Sequence, residues 1–258
     1  MKVKIERIRE AVFSRKRIIS NAYNSEKLQE YILEKTLSYA GNADLFLDSS
    51  YYRDRIKYFD FLKNSNNPSV VEIGGGAGID FFALRAILKV EPSMWVNIEN
   101  QKMVDVCSTT LDRYPNLRVV TSDHYEQCIN PNFDLLYANS ALQYLDDQEK
   151  ELERLLRYQP KGVVIARTPY IKESISASVR ILQKSHFRDN GPDATFIKSQ
   201  NYLVEYQARL ISFDRICKLL EEHGYEIEKV SEKEYWDEKP NELGKYEIGV
   251  FDIFAKHA

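Results

Sequence analysis

The sequence predicts an α/β fold, a mostly parallel sheet flanked by helices, and three observations predict it. Val70-Val71-Glu72-Ile73 is a short apolar, β-branched run of the kind that forms a buried parallel strand. It runs straight into Gly74-Gly75-Gly76-Ala77-Gly78, and the segment after the glycines has helical spacing, through Phe82 and Ala86, with no breaker before Pro92. Further short apolar runs at 94–98, 117–120, 132–138 and 162–166 then alternate with helical stretches, which is the pattern of a parallel sheet with crossover helices.

The glycine turn comes first, because strand, turn and helix N-terminus together make a nucleotide-type site. Its backbone N–H groups are expected to point outward at a ligand. Spacing separates the ligand classes. A P-loop needs Gly-Lys-Ser/Thr, and Gly78 is followed by Ile79-Asp80. The dinucleotide pattern G-x-G-x-x-G, begun at Gly74, requires a glycine where Ile79 stands, and begun at Gly75 it fails at Ala77. The pattern that fits is acid-x-G-x-G-x-G, carried by Glu72, Gly74, Gly76 and Gly78 with Gly75 between them. In this the chain resembles the class I S-adenosylmethionine (SAM) methyltransferases, whose first motif has that form. The resemblance implies a Rossmann-like fold with a mostly parallel seven-stranded sheet, an antiparallel last strand, and SAM as cofactor. A carboxylate at the strand end suits a ligand bearing an ammonium and a sulfonium.

The second strand, 94–98, ends at Glu99, twenty-one residues after Gly78. That is about the separation at which nucleotide-binding α/β folds place the acid for the ribose hydroxyls. A carboxylate accepts two hydrogen bonds from a vicinal diol, and Asn100 stands beside it. After the third strand comes Thr121-Ser122-Asp123-His124. The resemblance gives Asp123 the adenine amino group; capping of the next helix is an equal alternative for it. Asn139 and Ser140 follow the fourth strand and fall beside the expected methyl position, with Gln143 and Tyr144 one turn on. The set E-I-G-G-G-A-G, W-x-x-x-E, S-A-L-Q-Y-L and Arg167-Thr168-Pro169 is similar to one group of bacterial methyltransferases associated with surface-polysaccharide loci. The similarity covers about 68–170. It implies a small-molecule or glycan acceptor, methylated on a hydroxyl.

Composition bounds the remainder. The chain has 258 residues, 43% hydrophobic and 29% charged, enough for one domain of about 200 residues and a small addition. We read an N-terminal helical cap over 1–66 and a main domain over 67–258, with an insert at about 168–210. A net charge of −3 speaks against a nucleic-acid binder. No apolar run reaches the length of a membrane span and no signal-peptide core opens the chain, so a cytoplasmic protein is expected. Cys107, Cys128 and Cys217 are odd in number and far apart, which reads as reduced core cysteines. No His/Asp/Glu cluster has metal-ligand spacing, and no metal is expected. Ile5, Ile8 and Val12 among seven basic residues read as an amphipathic helix, either solvated or resting on an anionic membrane. Tyr31 to Leu37 reads as a second helix closed by Gly41, and Ser50 to Leu62 as a third. Ile171 to Lys184 reads as a helix inside the insert, Ser212 as the cap of the next helix, and 225–235 with 246–254 as a closing hairpin.

Methyl transfer to a hydroxyl needs alignment and a base. Of the four histidines, His124 lies near the adenine side, His223 closes a helix and His257 is terminal. His186, in the insert, is the best-placed imidazole, with Tyr144 as a phenolic alternative. Arg167, at the end of the fifth strand, holds a substrate anion or makes a structural ion pair. A silent SAM-fold binding protein is the alternative reading, and a nicotinamide oxidoreductase a third.

Overall fold

The structure is a computed structural model, and it describes residues 17–20, 25–171, 179–187, 202–233 and 248–258. The expected basic helix at 5–12 lies outside those residues. The described chain begins with β1 (Arg17–Ser20), followed by the helices α1 (Glu26–Gly41), α2 (Asp44–Asp48) and α3 (Ser50–Arg55), and a 3-10 turn over Ile56–Leu62. Then come β2 (Ser69–Ile73), α4 (Ile79–Leu88), β3 (Met94–Ile98), α5 (Gln101–Cys107), β4 (Leu117–Val120) and β5 (Leu135–Asn139). The chain continues through α6 (Gln148–Leu156), β6 (Gly162–Ile171), β7 (Val179–Phe187), β8 (Tyr202–Ser212), α7 (Phe213–Glu222), β9 (Tyr225–Lys233) and β10 (Ile248–His257).

Seven of the strands form the expected sheet, in the order β4-β3-β2-β5-β6-β10-β9. The pairs from β4 through β6 are all parallel, and β10 runs antiparallel to both β6 and β9. Between β2 and β5 the strand order reverses, and the crevice at the carboxyl ends of those strands is where open α/β sheets bind ligands. Each central strand is buried on both faces, so alternate residues enter two separate cores. Val71, Ile73, Val96, Ile98, Leu136, Ala138, Val163 and Ile165 pack with α6 and α7. Val70, Trp95, Leu135, Tyr137, Val164 and Ala166 pack with α4 and the cap. Burial on both faces is why these strands read as apolar runs rather than alternations.

Three polar residues interrupt the cap-side face. Register sets Asn97 and Tyr137 on either side of Glu72, and Glu72 and Asn97 are at most 1% exposed. Trp95 lies one pleat below on the same face, and its indole Nε1 donates to Glu72 Oε2 at 2.9 Å. Phe59 from the 3-10 turn and Phe81 from α4 pack against that indole.

Several expectations change. Arg17–Ser20 is a strand rather than helix, paired in parallel with β8, as its two isoleucines favour. The helix expected over Ile171 to Lys184 is absent where described. β6 runs on to Ile171, and Val179–Phe187 is a strand antiparallel to β8. The insert is therefore a small sheet, β1-β8-β7, joined to the main one where Ile211 and Ser212 pair with Tyr170 and Ile171. The expected third helix tightens after Arg55 into 3-10 geometry that buries Tyr58, Phe59 and Leu62. Ser212 stands at the N-cap of α7, but its side chain makes no capping bond. Gly224 does close that helix, at φ +81°.

Replacing Trp95 with Phe keeps an aromatic ring but leaves the buried Glu72 carboxyl without its donor. Urea denaturation of Trp95→Phe should show a stability loss of about 1–3 kcal/mol, the usual cost of an orphaned buried polar group.

Candidate functional site

The glycine loop is closed from below by side chains of β3 and of Glu99 just after it. The Gly75 N–H donates to Asn97 Oδ1 at 2.9 Å, and the Asn97 amide returns a bond to the Gly76 carbonyl. The Gly76 N–H donates to Glu99 Oε1 at 2.8 Å. Gly74 N–H bonds the Ile98 carbonyl at 3.0 Å and Gly78 N–H the Gly75 carbonyl at 3.1 Å. All four N–H groups are thus spent within the protein. This corrects the expectation that they point at a ligand, and it removes the anion nest a pyrophosphate would need.

The glycines also divide by role. At Gly75 an added Cβ would fall 2.2 Å from the Glu72 carboxylate, so Glu72 sits directly beneath the loop instead of projecting from the strand end. Gly76, at φ +62°, lies against Ile32 of α1, which would be 2.9 Å from a Cβ there. Gly78 is buried at φ +80° with Leu117 of β4 2.8 Å from its Cβ position, so it serves packing rather than the open face. Gly74, Gly75 and Gly76 keep the exposed side.

Glu99 stands at the rim. Besides Gly76, it accepts from the N–H and Nδ2 of Asn100, both at 3.1 Å, and Asn100 Oδ1 caps α5 by accepting the Met103 N–H at 3.1 Å. Of the roughly four lone-pair sites on a carboxylate, these three bonds leave about one for a ribose hydroxyl. Burial pushes the Glu99 carboxyl up to about 7, against the opposing pull of those bonds. Burial, with Asp80 adding to it, holds Glu72 well above the usual carboxylate range. Asp123 is exposed, and the 3-10 turn after it has no side-chain cap, so capping is not its role.

A second polar group gathers at the carboxyl ends of β5 and β6. Asn139, 8% exposed, donates from Nδ2 to the Tyr137 hydroxyl at 2.5 Å and accepts from Arg167 Nε at 2.7 Å. Arg167 reaches Asn139 because β6 bulges there: its φ is +50°, and the register against β10 slips between Phe251 and Ile253. Asp252, opposite the bulge, accepts the Arg167 N–H at 2.8 Å and the Tyr58 hydroxyl at 3.0 Å. Bulges of this kind re-aim a side chain beside a site. The Arg167 guanidinium lies 5.3 Å from the centre of the Tyr51 ring, and Arg55 donates to the Tyr51 hydroxyl at 3.0 Å. Arg55 also pairs with Asp80, which is 1% exposed in the first turn of α4.

The structure therefore brings Asn139 and Arg167 together and puts the glycine loop, Glu72, Glu99 and Asn100 in one unit. Ser140 turns through φ +56°, and its carbonyl and hydroxyl both accept from Gln143, which is buried and faces inward rather than into a pocket. Tyr144 is half-buried on the turn after β5. His186 lies in β7 opposite Leu203, and its side chain is outside what the structure describes. The sequence reading missed Asn97, Tyr51, Arg55 and Asp80. Asn97 had left a signal, a lone amide inside the apolar run Met94–Ile98. Among the described residues, no group of three His, Cys, Asp or Glu is arranged to hold a metal ion, and no helix is long and apolar enough to cross a membrane.

No protein-family model and no curated protein matches this chain. Solved structures do. The [4+2]-cyclase SpnF is 14% identical, with 80% of each chain covered and a TM-score of 0.50. A S-adenosylmethionine-dependent methyltransferase from Clostridium acetobutylicum is 14% identical, covering 87% of this chain and 98% of its own at a TM-score of 0.48. The glycopeptide N-methyltransferase MtfA, solved with SAM, is 13% identical, with 78% and 86% covered at 0.47. The chain has the class I methyltransferase fold. In class I terms β2 is the first strand, Glu99 ends the second, and Arg167 stands in the fifth.

The raised Glu99 carboxyl sets a pH dependence. Folded, it holds its proton up to about 7; an ordinary glutamate releases it near 4.5. Its contribution to stability is therefore present below about 4.5 and is lost as the pH rises through 7. Glu99→Gln removes this titration. In thermal melts its Tm relative to wild type should be higher at pH 8 than at pH 5.

Proposed function

We propose that this chain is a SAM-dependent methyltransferase that O-methylates a sugar or other small hydroxylated metabolite, feeding a surface glycan. The observation that carries the reading is the closed glycine loop: the N–H groups of its four glycines are bonded within the protein, and what stands open at its rim is the Glu99 carboxyl, an acceptor. Asp80 adds a buried Oδ1 with no partner, just behind the loop. Acceptors of this kind fit an ammonium and ribose hydroxyls, and they do not fit a pyrophosphate. Bound there, SAM would supply an electrophilic methyl group. Gly74, Gly75 and Gly76 would lie along its methionine and ribose portion, with Glu99 at a ribose hydroxyl and Asp123 toward the adenine.

On the acceptor side, Asn139 and Arg167 are locked to each other and so hold fixed directions. Together with Ser140 and Tyr144, and with His186 as the imidazole the sequence offers, they would give polar groups for several hydroxyls, as a polyhydroxylated acceptor requires. The glycan role rests on the sequence resemblance alone. The fold does not choose the reaction, since SpnF, a cyclase, has it too. A protein that binds SAM and transfers nothing is therefore the second reading.

Calorimetry with SAM, its demethylated product S-adenosylhomocysteine, and NAD separates the classes. Binding of the first two without NAD is expected, and NAD binding alone would refute the proposal. Gly76→Val should abolish SAM binding, because its side chain meets Ile32. Glu99→Ala should weaken it by about 1.5–3 kcal/mol, the range for a hydrogen bond to a charged group. Methylated product on incubating SAM with sugars or sugar nucleotides would exclude the silent protein.

A further inference from the structure

Two tyrosines stand side by side on α3 in opposite environments. Tyr52 is 4% exposed and packs edge-on against Tyr39 and Phe46. Tyr51 is 46% exposed, and charged groups surround its oxygen. Arg55, one turn along the same helix, donates to that oxygen at 3.0 Å, and its guanidinium carbon lies 5.1 Å from the ring centre. Arg167, delivered by the β6 bulge, covers the ring at 5.3 Å while its Nε holds Asn139 at 2.7 Å. The ring therefore sits against the Arg167–Asn139 pair at the carboxyl ends of β5 and β6 and is partly open to solvent.

We propose that Tyr51 is the general base of this site, its phenolate taking the proton from the acceptor hydroxyl as that oxygen is methylated. The inference rests on the methyltransferase reading above. As the acceptor O–H bond breaks, the proton passes to Tyr51 Oη, and the acceptor oxygen forms its new bond to carbon with a lone pair. The methyl comes from the sulfonium, whose C–S pair stays on sulfur as a neutral thioether. Tyr51 then returns its proton to water through its exposed edge.

The electrostatics agree with the placement. Burial acts to raise the Tyr51 phenol and Asp80 adds to this, but the charges of Arg55 and Arg167 outweigh both and hold it below its ordinary 10.0. The two arginines are not equivalent. Arg55 is paired with Asp80, whereas Arg167 has no carboxylate in an ion pair among the described residues. Arg167 is thus the counter-charge for the phenolate. Tyr52 feels the same pull from Arg55 but has no contribution from Arg167 among its causes, and there burial wins and pushes the phenol up.

The test begins without cofactor or acceptor. Ultraviolet titration of the free protein should reveal a phenol ionising below the ordinary range. That ionisation should vanish in Tyr51→Phe and move to higher pH in Arg167→Gln. In single-turnover reactions with SAM and an acceptor, Tyr51→Phe should lower the rate by roughly 10²–10⁴-fold, the usual contribution of a general base. Its SAM affinity by calorimetry should stay at the wild-type level. The rising limb of the wild-type pH profile should shift upward in Arg167→Gln, together with the spectroscopic titration. A free protein with no early phenol ionisation, or a Tyr51→Phe variant that keeps full turnover, overturns the assignment. Wild-type protein that fails to bind SAM overturns the methyltransferase reading instead, a result calorimetry gives without reference to Tyr51.

Discussion

The site depends on how the backbone of the glycine loop satisfies its hydrogen bonds. A loop between a buried strand and a helix must find partners for its N–H groups, and orphaning one costs about 1–3 kcal/mol. For Gly75 and Gly76 the partners are two side chains, Asn97 of β3 and Glu99 just past its end, two residues apart and so on one side. Asn97 works in both directions, accepting from Gly75 and donating to Gly76, and that fixes the loop to the sheet. The same bonds set what the loop has left to offer. A glycine loop with free N–H groups is an anion site; with the glycine N–H groups occupied and the Glu99 carboxyl at its rim, this loop presents an acceptor instead.

Concentrating acid beneath a loop requires compensation, and the cap provides it. Glu72, Asp80 and Glu99 lie close enough for Asp80 and Glu99 to help raise Glu72. Arg55 enters from α3 and pairs with Asp80, while also facing the hydroxyls of Tyr51 and Tyr137. A buried ion pair of this sort adds little net stability, because desolvation offsets most of its attraction. It does fix geometry, since an Asp80 without Arg55 would be a buried charge with no counter-ion. With Ile32 on Gly76, it makes the cap part of the loop's support.

What the sequence disclosed follows from where its information is local. Strand β2, its glycines, and the separation to Glu99 are short-range patterns, and the resemblance they carry implied the antiparallel last strand seen in β10. The roles inside the motif were less visible. Gly78 belongs to packing because Leu117 sits against it, and Glu72 lies under the loop because Trp95 holds it there; both facts depend on neighbouring strands. The insert misled because apolar and polar residues at 171–184 satisfy a helical spacing, yet β8 offered an edge on which 179–187 became a strand. Arg167 was read as a strand end with two open roles, since a bulge opposite Asp252 leaves no mark of its own in the sequence.

Tyr51 and Arg55 show what such long-range contacts add. They are four residues apart, and on a helix that spacing puts them on one face. One end of this face addresses Asp80 and the glycine loop, and the other addresses Arg167 and the ends of β5 and β6. A single short helix therefore carries the group that balances the cofactor side and the phenol that faces the acceptor side. Its position is set by the Arg55–Asp80 pair and by Tyr52 packed among Tyr39 and Phe46, so the phenol is held by contacts that themselves take no part in proton transfer. The charge that lowers the phenol comes from the other direction, from a strand bulge locked by Asp252 and Asn139. Helix and bulge must both be in register for Tyr51 to lie between two guanidiniums, which makes its reactivity a property of the assembled fold rather than of any one segment.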